Sequence, residues 1–192
     1  MLLRSARRSA LLSSLLVLGL AAVGARADAQ EQLLTREQAL KEIFPEATKT
    51  ADEMRTLSSA QRSRLESDLG RRLDEDVVLV TRVFDASGAP CGYAVVSEEV
   101  GKYRPITFMV GVKPDFTVRD VAVMVYRESR GGDVKRKRFL NQYRGKSGRD
   151  PIDLNRDIIN VSGATISVRS MNAGVKRVLA ELTALYGTQA PQ

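Results

Sequence analysis

The stretch Ile106–Tyr126, with the sequence ITFMVGVKPDFTVRDVAVMVY, decides the fold class of this chain. It contains two runs rich in Val, Ile and Phe, Ile106–Val112 and Val118–Tyr126, which are separated by the turn residues Lys113–Asp115. Short β-branched runs joined by turns of this kind indicate neighbouring antiparallel strands. We therefore predict that this stretch forms part of an antiparallel sheet.

Two further strands are predicted before this stretch. Val77–Phe84 and Cys91–Val96 are again rich in apolar residues, and the turn Asp85–Gly88 separates them. The sheet should therefore have about four strands. The polar segment 30–72 precedes it and predicts N-terminal helices, with Thr35 and then Ser58 or Ser59 as their caps.

A long helix is predicted at the end of the chain, from Val168 onwards. Its apolar residues recur at helical spacing: Val168, Met171, Val175, Val178, Leu179, Leu182 and Leu185. Glu181 is expected on its surface, and residues 188–192 are expected to form a disordered tail. A shorter helix is expected around Phe139, Leu140 and Tyr143. The predicted fold class is thus α+β, with an antiparallel sheet flanked by helices.

The composition excludes several kinds of site. The 192 residues include no His and a single Cys. A Ser-His or Cys-His nucleophile, a zinc site with imidazole or multiple thiolate ligands, a c-type haem and an intramolecular disulfide are therefore all excluded. Carboxylate or hydroxyl chemistry, or an acquired cofactor, remains.

Residues 1–29 resemble a secretory signal peptide. A basic start with Arg4, Arg7 and Arg8 precedes an apolar run from Ala10 to Val23, and small residues follow at a cleavage-like spacing. An uncleaved membrane anchor is the alternative. Four of the arginines, and no acid, lie in residues 1–27, so more than half of the net charge of +7 belongs to this segment. We expect an exported protein on the periplasmic or extracytoplasmic face of the membrane, with no nucleic-acid partner.

The stretch Asn160–Ser167, with the sequence NVSGATIS, leads into the final helix and carries the predicted chemistry. The residues with hydroxyl groups and those with small or absent side chains lie at the start of a helix. The first backbone N–H groups of a helix have no hydrogen-bond partner, and they favour binding of an anion such as phosphate. The alternative is structural, with Ser162 or Ser167 serving only as a helix cap.

Ser162–Thr165 (SGAT) at this position resembles the motif of the FMN-binding domain family. That family includes the flavin subunits of the sodium-pumping NADH:quinone reductase and of the Rnf complex. The resemblance implies that Thr165 carries FMN through a phosphoester bond, which an exported FAD:protein FMN transferase installs. It also implies an FMN-binding domain at 73–187.

Two other segments extend the resemblance. Glu128–Gly132 (ESRGG) is similar to the family's loop beside the flavin ring, and Tyr143–Lys146 is similar to a short aromatic-x-Gly segment. The chain departs from the pattern at Ile159, where the family has an acid before its motif, and in the loop, which has Arg130 and lacks the family's Pro. Arg130 is expected to place a positive charge near the flavin.

The resemblance implies two sets of cofactor contacts. The expected phosphate contacts are Ser162, Gly163, Ala164, Thr165 and Ser167. The expected ring contacts are Glu128, Ser129, Arg130, Gly131 and Gly132. The implied function is that of an exported electron carrier with covalent FMN and with redox partners in or near the membrane. Two alternatives remain: a cofactor-free binding module of the cell envelope with a basic surface, and a flavin-dependent reductase with its own substrate.

Two further patterns are interpreted as structural. The basic run Lys135–Arg138 is expected to be a solvated helix end, although it would also suit an acidic partner. Asp153, Asn155 and Asp157 have the start of a calcium-loop spacing, but Ile158 and Ala164 stand where that loop needs Gly and Glu.

Overall fold

The computed structural model describes residues 31–187, and the predicted signal peptide and C-terminal tail lie outside them. The described chain forms one six-stranded antiparallel sheet with helices on both faces, which confirms the α+β class. In spatial order the strands are β1, β6, β5, β4, β3 and β2. The strands are β1 (Glu31–Gln32), β2 (Lys49–Thr56), β3 (Val77–Phe84), β4 (Pro90–Val100), β5 (Pro105–Val112) and β6 (Val118–Tyr126). The α-helices are α1 (Arg36–Ile43), α2 (Ser59–Leu69), α3 (Lys137–Leu140) and α4 (Thr165–Tyr186), and short 3-10 turns at Gly132–Lys135 and Asn141–Tyr143 flank α3.

The four predicted strands are all present, and two more extend the sheet at its edges. The expectation that residues 30–72 are helical is correct for α1 and α2. It is wrong for β1, which pairs with β6, and for β2, which pairs with β3 along its whole length. The sequence of β2, KTADEMRT, has no alternating apolar face because most of its residues are exposed. Its strand conformation therefore comes from pairing with β3 rather than from burial of its own side chains.

The two predicted helix caps of the N-terminal segment are confirmed. The side chains of Thr35 and Ser58 each accept a hydrogen bond from the backbone N–H of the residue three positions later. The side chains of those residues, Gln38 and Gln61, accept in turn from the backbone N–H of the cap residue. These reciprocal bonds satisfy backbone groups that would otherwise be unpaired at each helix start. Helix α1 packs against β5 and β6, and α2 lies beside α4.

Helix α4 packs its predicted apolar side across β4 and β5 and forms the larger of two cores. One expectation for this helix is wrong, because Glu181 is only 2% exposed. Arg177 Nη1 lies 3.1 Å from Glu181 Oε1 and compensates the buried carboxylate. Burial raises the pKa of Glu181, and the neighbouring Arg177 opposes that shift.

Close approach of α4 to the sheet depends on Gly174. A Cβ at this position would lie 2.6 Å from Phe108 Cζ and 2.7 Å from Ser97 Oγ. The missing side chain therefore lets the helix lie directly on β4 and β5, and this seating fixes where the start of α4 meets the rest of the molecule.

Candidate functional site

The motif Ser162–Thr165 lies immediately before and at the start of α4, with Thr165 as the first helical residue. Ala164 is the N-cap and makes no side-chain capping hydrogen bond. The structural alternative, in which Ser162 or Ser167 caps the helix, therefore has no support in the geometry. Ser162 is exposed and Ser167 is buried within the first turn. The start of α4 thus presents backbone N–H groups and the positive end of the helix dipole without a side-chain cap.

The Thr165 hydroxyl is partly exposed and has one defined partner. Asn160 Nδ2 donates to Thr165 Oγ1 over 3.0 Å. Gly163 has φ +75°, and no heavy atom lies within 4 Å of the position that a Cβ would occupy there. There is therefore open space beside the backbone at Gly163, two residues before Thr165.

The structure brings the loop Glu128–Gly132 against this helix start. A Cβ on Gly131 would lie 2.7 Å from Ala164 Cβ and 3.1 Å from Ala164 Cα. Gly131 also has φ +75°, a conformation that favours glycine. Both features account for the glycine at this position, and they place the two motif segments in direct contact.

Tyr126, the last residue of β6, holds the loop and the helix together. Its hydroxyl donates to the Arg130 carbonyl over 2.6 Å and is also a hydrogen-bond partner of Ser167. Burial is the main cause of the raised pKa of Tyr126. Ser167 therefore faces inward, towards Tyr126, and differs in this from the exposed Ser162 and Gly163.

The remaining loop residues point in different directions. Ser129 and Arg130 are exposed, and Gly132 begins a 3-10 turn. Glu128 is half-buried, and its Oε1 accepts hydrogen bonds from the backbone N–H groups of Tyr103 (2.6 Å) and Arg104 (3.1 Å). Glu128 thus contacts the turn between β4 and β5.

That turn, residues 101–104, is the part of the neighbourhood that the sequence analysis missed. The Gly101 N–H donates to the Arg104 carbonyl over 2.9 Å and closes it. The only signal in the sequence is a short polar GKYRP segment between two predicted strands, which is typical of any hairpin. The turn lies close to Glu128 only in the folded protein, so the sequence does not indicate this contact.

The segment Tyr143–Lys146 has a structural role away from the motif. Gly145 N–H donates to the Val118 carbonyl, and the Lys146 carbonyl accepts from Val118 N–H, so this segment braces the start of β6. The Tyr143 hydroxyl is buried and donates to Asn172 Oδ1 over 2.7 Å. Burial raises the pKa of Tyr143 far above its ordinary range.

Asp120 ties this segment to the sheet. Its buried carboxylate lies 2.6 Å from Arg144 Nη2 and 3.0 Å from Lys137 Nζ. Burial opposes ionisation, but the hydrogen bonds from Arg144 and Lys137 hold the pKa of Asp120 below its ordinary value. Lys137 also contacts Glu42 on α1 over 2.6 Å. In the basic run 135–138, Arg136, Lys137 and Arg138 are exposed, as its sequence predicts, and Lys137 is in addition engaged in ion pairs.

The acidic segment 153–157 is likewise structural. Asp157 accepts from the backbone N–H groups of Ile152 and Asp153 and lies 2.8 Å from Lys146 Nζ. Between residues 31 and 187, no three His, Cys, Asp or Glu side chains come together in a way that could hold a metal ion. Across the same residues, no helix has both the length and the apolar character needed to cross a bilayer.

A cavity among the described residues lies away from the motif. Its volume is about 560 Å³, and Leu79 of β3 and Val96 of β4 line it. It arises because residues Thr81–Phe84 of β3 pair with Pro90–Ala94 of β4, and the two strands separate beyond Ala94. None of the residues of the two motif segments lines this cavity. We therefore assign the site from the chemistry at Thr165.

Known proteins resemble this chain in sequence and in fold. Residues 101–180 match the sequence model described as the FMN-binding domain. The chain shares its fold with NqrC from Shewanella oneidensis, with 19% identity and a TM-score of 0.54 over 82% of this chain and 90% of that one. A subunit of the Na⁺-translocating NADH-quinone reductase from Parabacteroides distasonis gives 13% identity and a TM-score of 0.49, over 83% and 86% of the two chains. No curated protein sequence matches the chain.

The matched residues begin at the turn between β4 and β5 and include both Glu128–Gly132 and Ser162–Thr165. They also include most of α4, on which the motif is seated. The resemblance to the FMN-binding domain family is therefore confirmed for residues 101–180, the part of the chain that carries the candidate site.

Proposed function

We propose that this chain is an exported electron-transfer flavoprotein that carries FMN covalently on Thr165 through a phosphoester bond. The uncapped start of α4, with Thr165 as its first residue, carries the proposal. An anion at this position would meet free backbone N–H groups and the positive end of the helix dipole. The cofactor-free alternative depends on a capping role for Ser162 or Ser167, and neither residue caps the helix.

The residues present fit an FMN phosphate. Gly163 leaves open space next to the backbone, and Ser162 adds an exposed hydroxyl beside it. Asn160 holds Thr165 Oγ1 in place by donating to it, so that the hydroxyl proton stays available for removal. The loop from Glu128 to Gly132 would border the flavin ring because Gly131 lies against Ala164.

The attachment step needs an external enzyme and FAD. In this step Thr165 Oγ1 forms a bond to the phosphorus of the FMN half, and the bond between the two phosphates of FAD breaks. AMP leaves with the bridging oxygen, the hydroxyl proton passes to solvent, and no electrons are transferred. We propose that an exported FAD:protein FMN transferase catalyses this step, as the resemblance to the FMN-binding domain family implies.

Export and electron transfer belong to the same proposal. The signal-like segment 1–29 would direct the chain out of the cytoplasm. There, a covalent link keeps a cofactor that dissociation would otherwise dilute away. Bound FMN supplies the redox chemistry, and the protein positions it. The redox partners would lie in or near the membrane, and the chain would act as an electron carrier rather than as a stand-alone enzyme.

Co-expression with and without the transferase tests the attachment site. Flavin fluorescence of the denatured protein on a gel should require both the transferase and the Thr165 hydroxyl. Thr165→Val should abolish the fluorescent band, whereas Thr165→Ser should retain part of it. Thr183→Val is the matched control, because Thr183 lies on the same helix and its hydroxyl only donates to the Leu179 carbonyl. A fluorescent Thr165→Val protein would refute the proposed attachment site.

A further inference from the structure

The turn between β4 and β5 is fixed beside the start of α4. Ser170 Oγ donates to the Val100 carbonyl over 2.6 Å and also contacts the Ile166 carbonyl at 3.0 Å. Ser170 lies five residues after Thr165, which corresponds to about 7.5 Å along a helix axis. The end of β4 therefore lies close to the proposed attachment residue.

Glu128 fixes the other side of the turn. Its Oε1 accepts from the consecutive N–H groups of Tyr103 and Arg104. A Cβ on Gly101 would lie 2.6 Å from this same Oε1, so the glycine makes room for the carboxylate. Two hydrogen bonds to a charged acceptor give strong local order to a short turn. The carboxylate group of Glu128 is thus engaged by the backbone of the turn.

The turn and the helix start expose three large apolar side chains. Val100 is 72% exposed, Tyr103 is 71% exposed and Ile166 is 44% exposed. Ser170 contacts the carbonyl groups of both Val100 and Ile166, and Tyr103 belongs to the same turn as Val100. Exposed apolar side chains grouped in this way indicate a binding surface. A planar aromatic group attached at Thr165 would be close to this surface, and the covalent link would keep its local concentration high.

We propose that the turn Val100–Arg104 forms one wall of the flavin-ring site, with Tyr103 in contact with the ring and Glu128 as the positioning residue of the turn. This inference rests on the proposed attachment of FMN to Thr165. It gives Glu128 an indirect role that differs from the ring contact expected from the sequence. Tyr103, which the sequence analysis did not select, takes the role of direct contact.

The test uses the flavin-loaded protein and three measurements. Flavin content is measured after denaturation. The native protein is then examined for flavin emission per bound flavin and for quenching of that emission by iodide. We expect Tyr103→Ser to keep its flavin content, to raise native emission severalfold and to increase iodide quenching, because the tyrosine no longer contacts or shields the ring. Met54→Ser is the control, since Met54 is 73% exposed on the distant strand β2, and it should change none of the three values.

Two Glu128 variants distinguish positioning of the turn from a direct effect of charge on the flavin. Glu128→Ala removes both hydrogen bonds to the turn and should behave like Tyr103→Ser. Glu128→Gln keeps an oxygen acceptor for the two N–H groups and should stay close to the wild type. If Glu128→Gln and Glu128→Ala gave the same change, the positioning role would be refuted.

The remaining outcomes separate this inference from the proposed function. Absence of flavin from the wild-type protein would overturn both. Full flavin content with unchanged emission and iodide quenching in Tyr103→Ser would overturn only the ring wall. A lower flavin content in Tyr103→Ser, with unchanged emission and quenching per bound flavin, would assign the turn to recognition by the transferase and would also overturn the ring wall.

Discussion

The close contact between Gly131 and Ala164 leaves no room for a side chain at residue 131. We therefore expect Gly131→Ala to reduce both the stability of the protein and its loading with flavin. The new Cβ would meet Ala164 Cβ at 2.7 Å, well inside the 3.5–4.0 Å at which two carbon atoms pack favourably. Overpacking of this kind costs about 1–3 kcal/mol. The backbone at φ +75° adds about 1–2 kcal/mol for a residue with a Cβ. We therefore expect Gly131→Ala to lower the free energy of unfolding by about 2–5 kcal/mol.

Gly145→Ala is a matched control for this prediction. Gly145 has φ +76°, but no heavy atom lies within 4 Å of the position of its missing Cβ. This variant should therefore lose only the backbone contribution of about 1–2 kcal/mol. Urea unfolding followed by circular dichroism gives both values. Because Gly131→Ala also moves the loop away from the helix start, it should reduce the fraction of protein loaded with flavin, whereas Gly145→Ala should not. Equal losses of stability for the two variants would refute the argument from close contact.

Three further predictions concern the motif and the segments that support it. Ile159→Asp places an acid where the family has one, at an exposed position, and should raise the fraction loaded by the transferase in a gel assay; an unchanged fraction would show that this chain does not depend on the acid. Asp120→Asn should lower the free energy of unfolding by about 2 kcal/mol at pH 7. The pKa of Asp120 is lower in the folded state than in the unfolded state. Its contribution to the free energy of unfolding is therefore present above the unfolded pKa near 4 and is lost as the pH falls through the folded value. The difference in urea unfolding between wild type and variant should accordingly shrink in acid. A difference that stays constant down to pH 2 would contradict this. Tyr143→Phe removes the donor to Asn172, whose Nδ2 is already buried without a partner, and should cost about 1–3 kcal/mol in thermal unfolding; a neutral effect would contradict the role of this bond.

The parts of the fold that the sequence predicts are those in which local pattern and burial agree. Strands β3 and β6 have the predicted limits because most of their apolar residues are buried in the two hydrophobic cores. Strand β2 could not be predicted in this way, since it is a polar edge strand whose conformation depends on β3. The buried state of Glu181 was missed for a similar reason, because its compensation by Arg177 is a contact within the folded protein.

In the candidate site, too, the sequence predicts some features, and others depend on contacts within the folded protein. The resemblance of Ser162–Thr165 and Glu128–Gly132 to a known family selects the two segments, and residue type alone indicates an anion site at a helix start. The contact between Gly131 and Ala164, the inward direction of Ser167 and the bonds from Glu128 to the turn arise only when α4 is seated on the sheet. Tyr103 was missed because nothing in a hairpin sequence indicates which element its turn will face.

Mass spectrometry of the peptide Asp157–Arg169, obtained by trypsin digestion of the protein exported from its native host, tests the central claim most directly. We expect this peptide to carry the mass of one FMN less one water, and fragmentation should place the addition on Thr165. A peptide of unmodified mass in the exported protein, or an addition located on Ser162 or Ser167, would contradict the account.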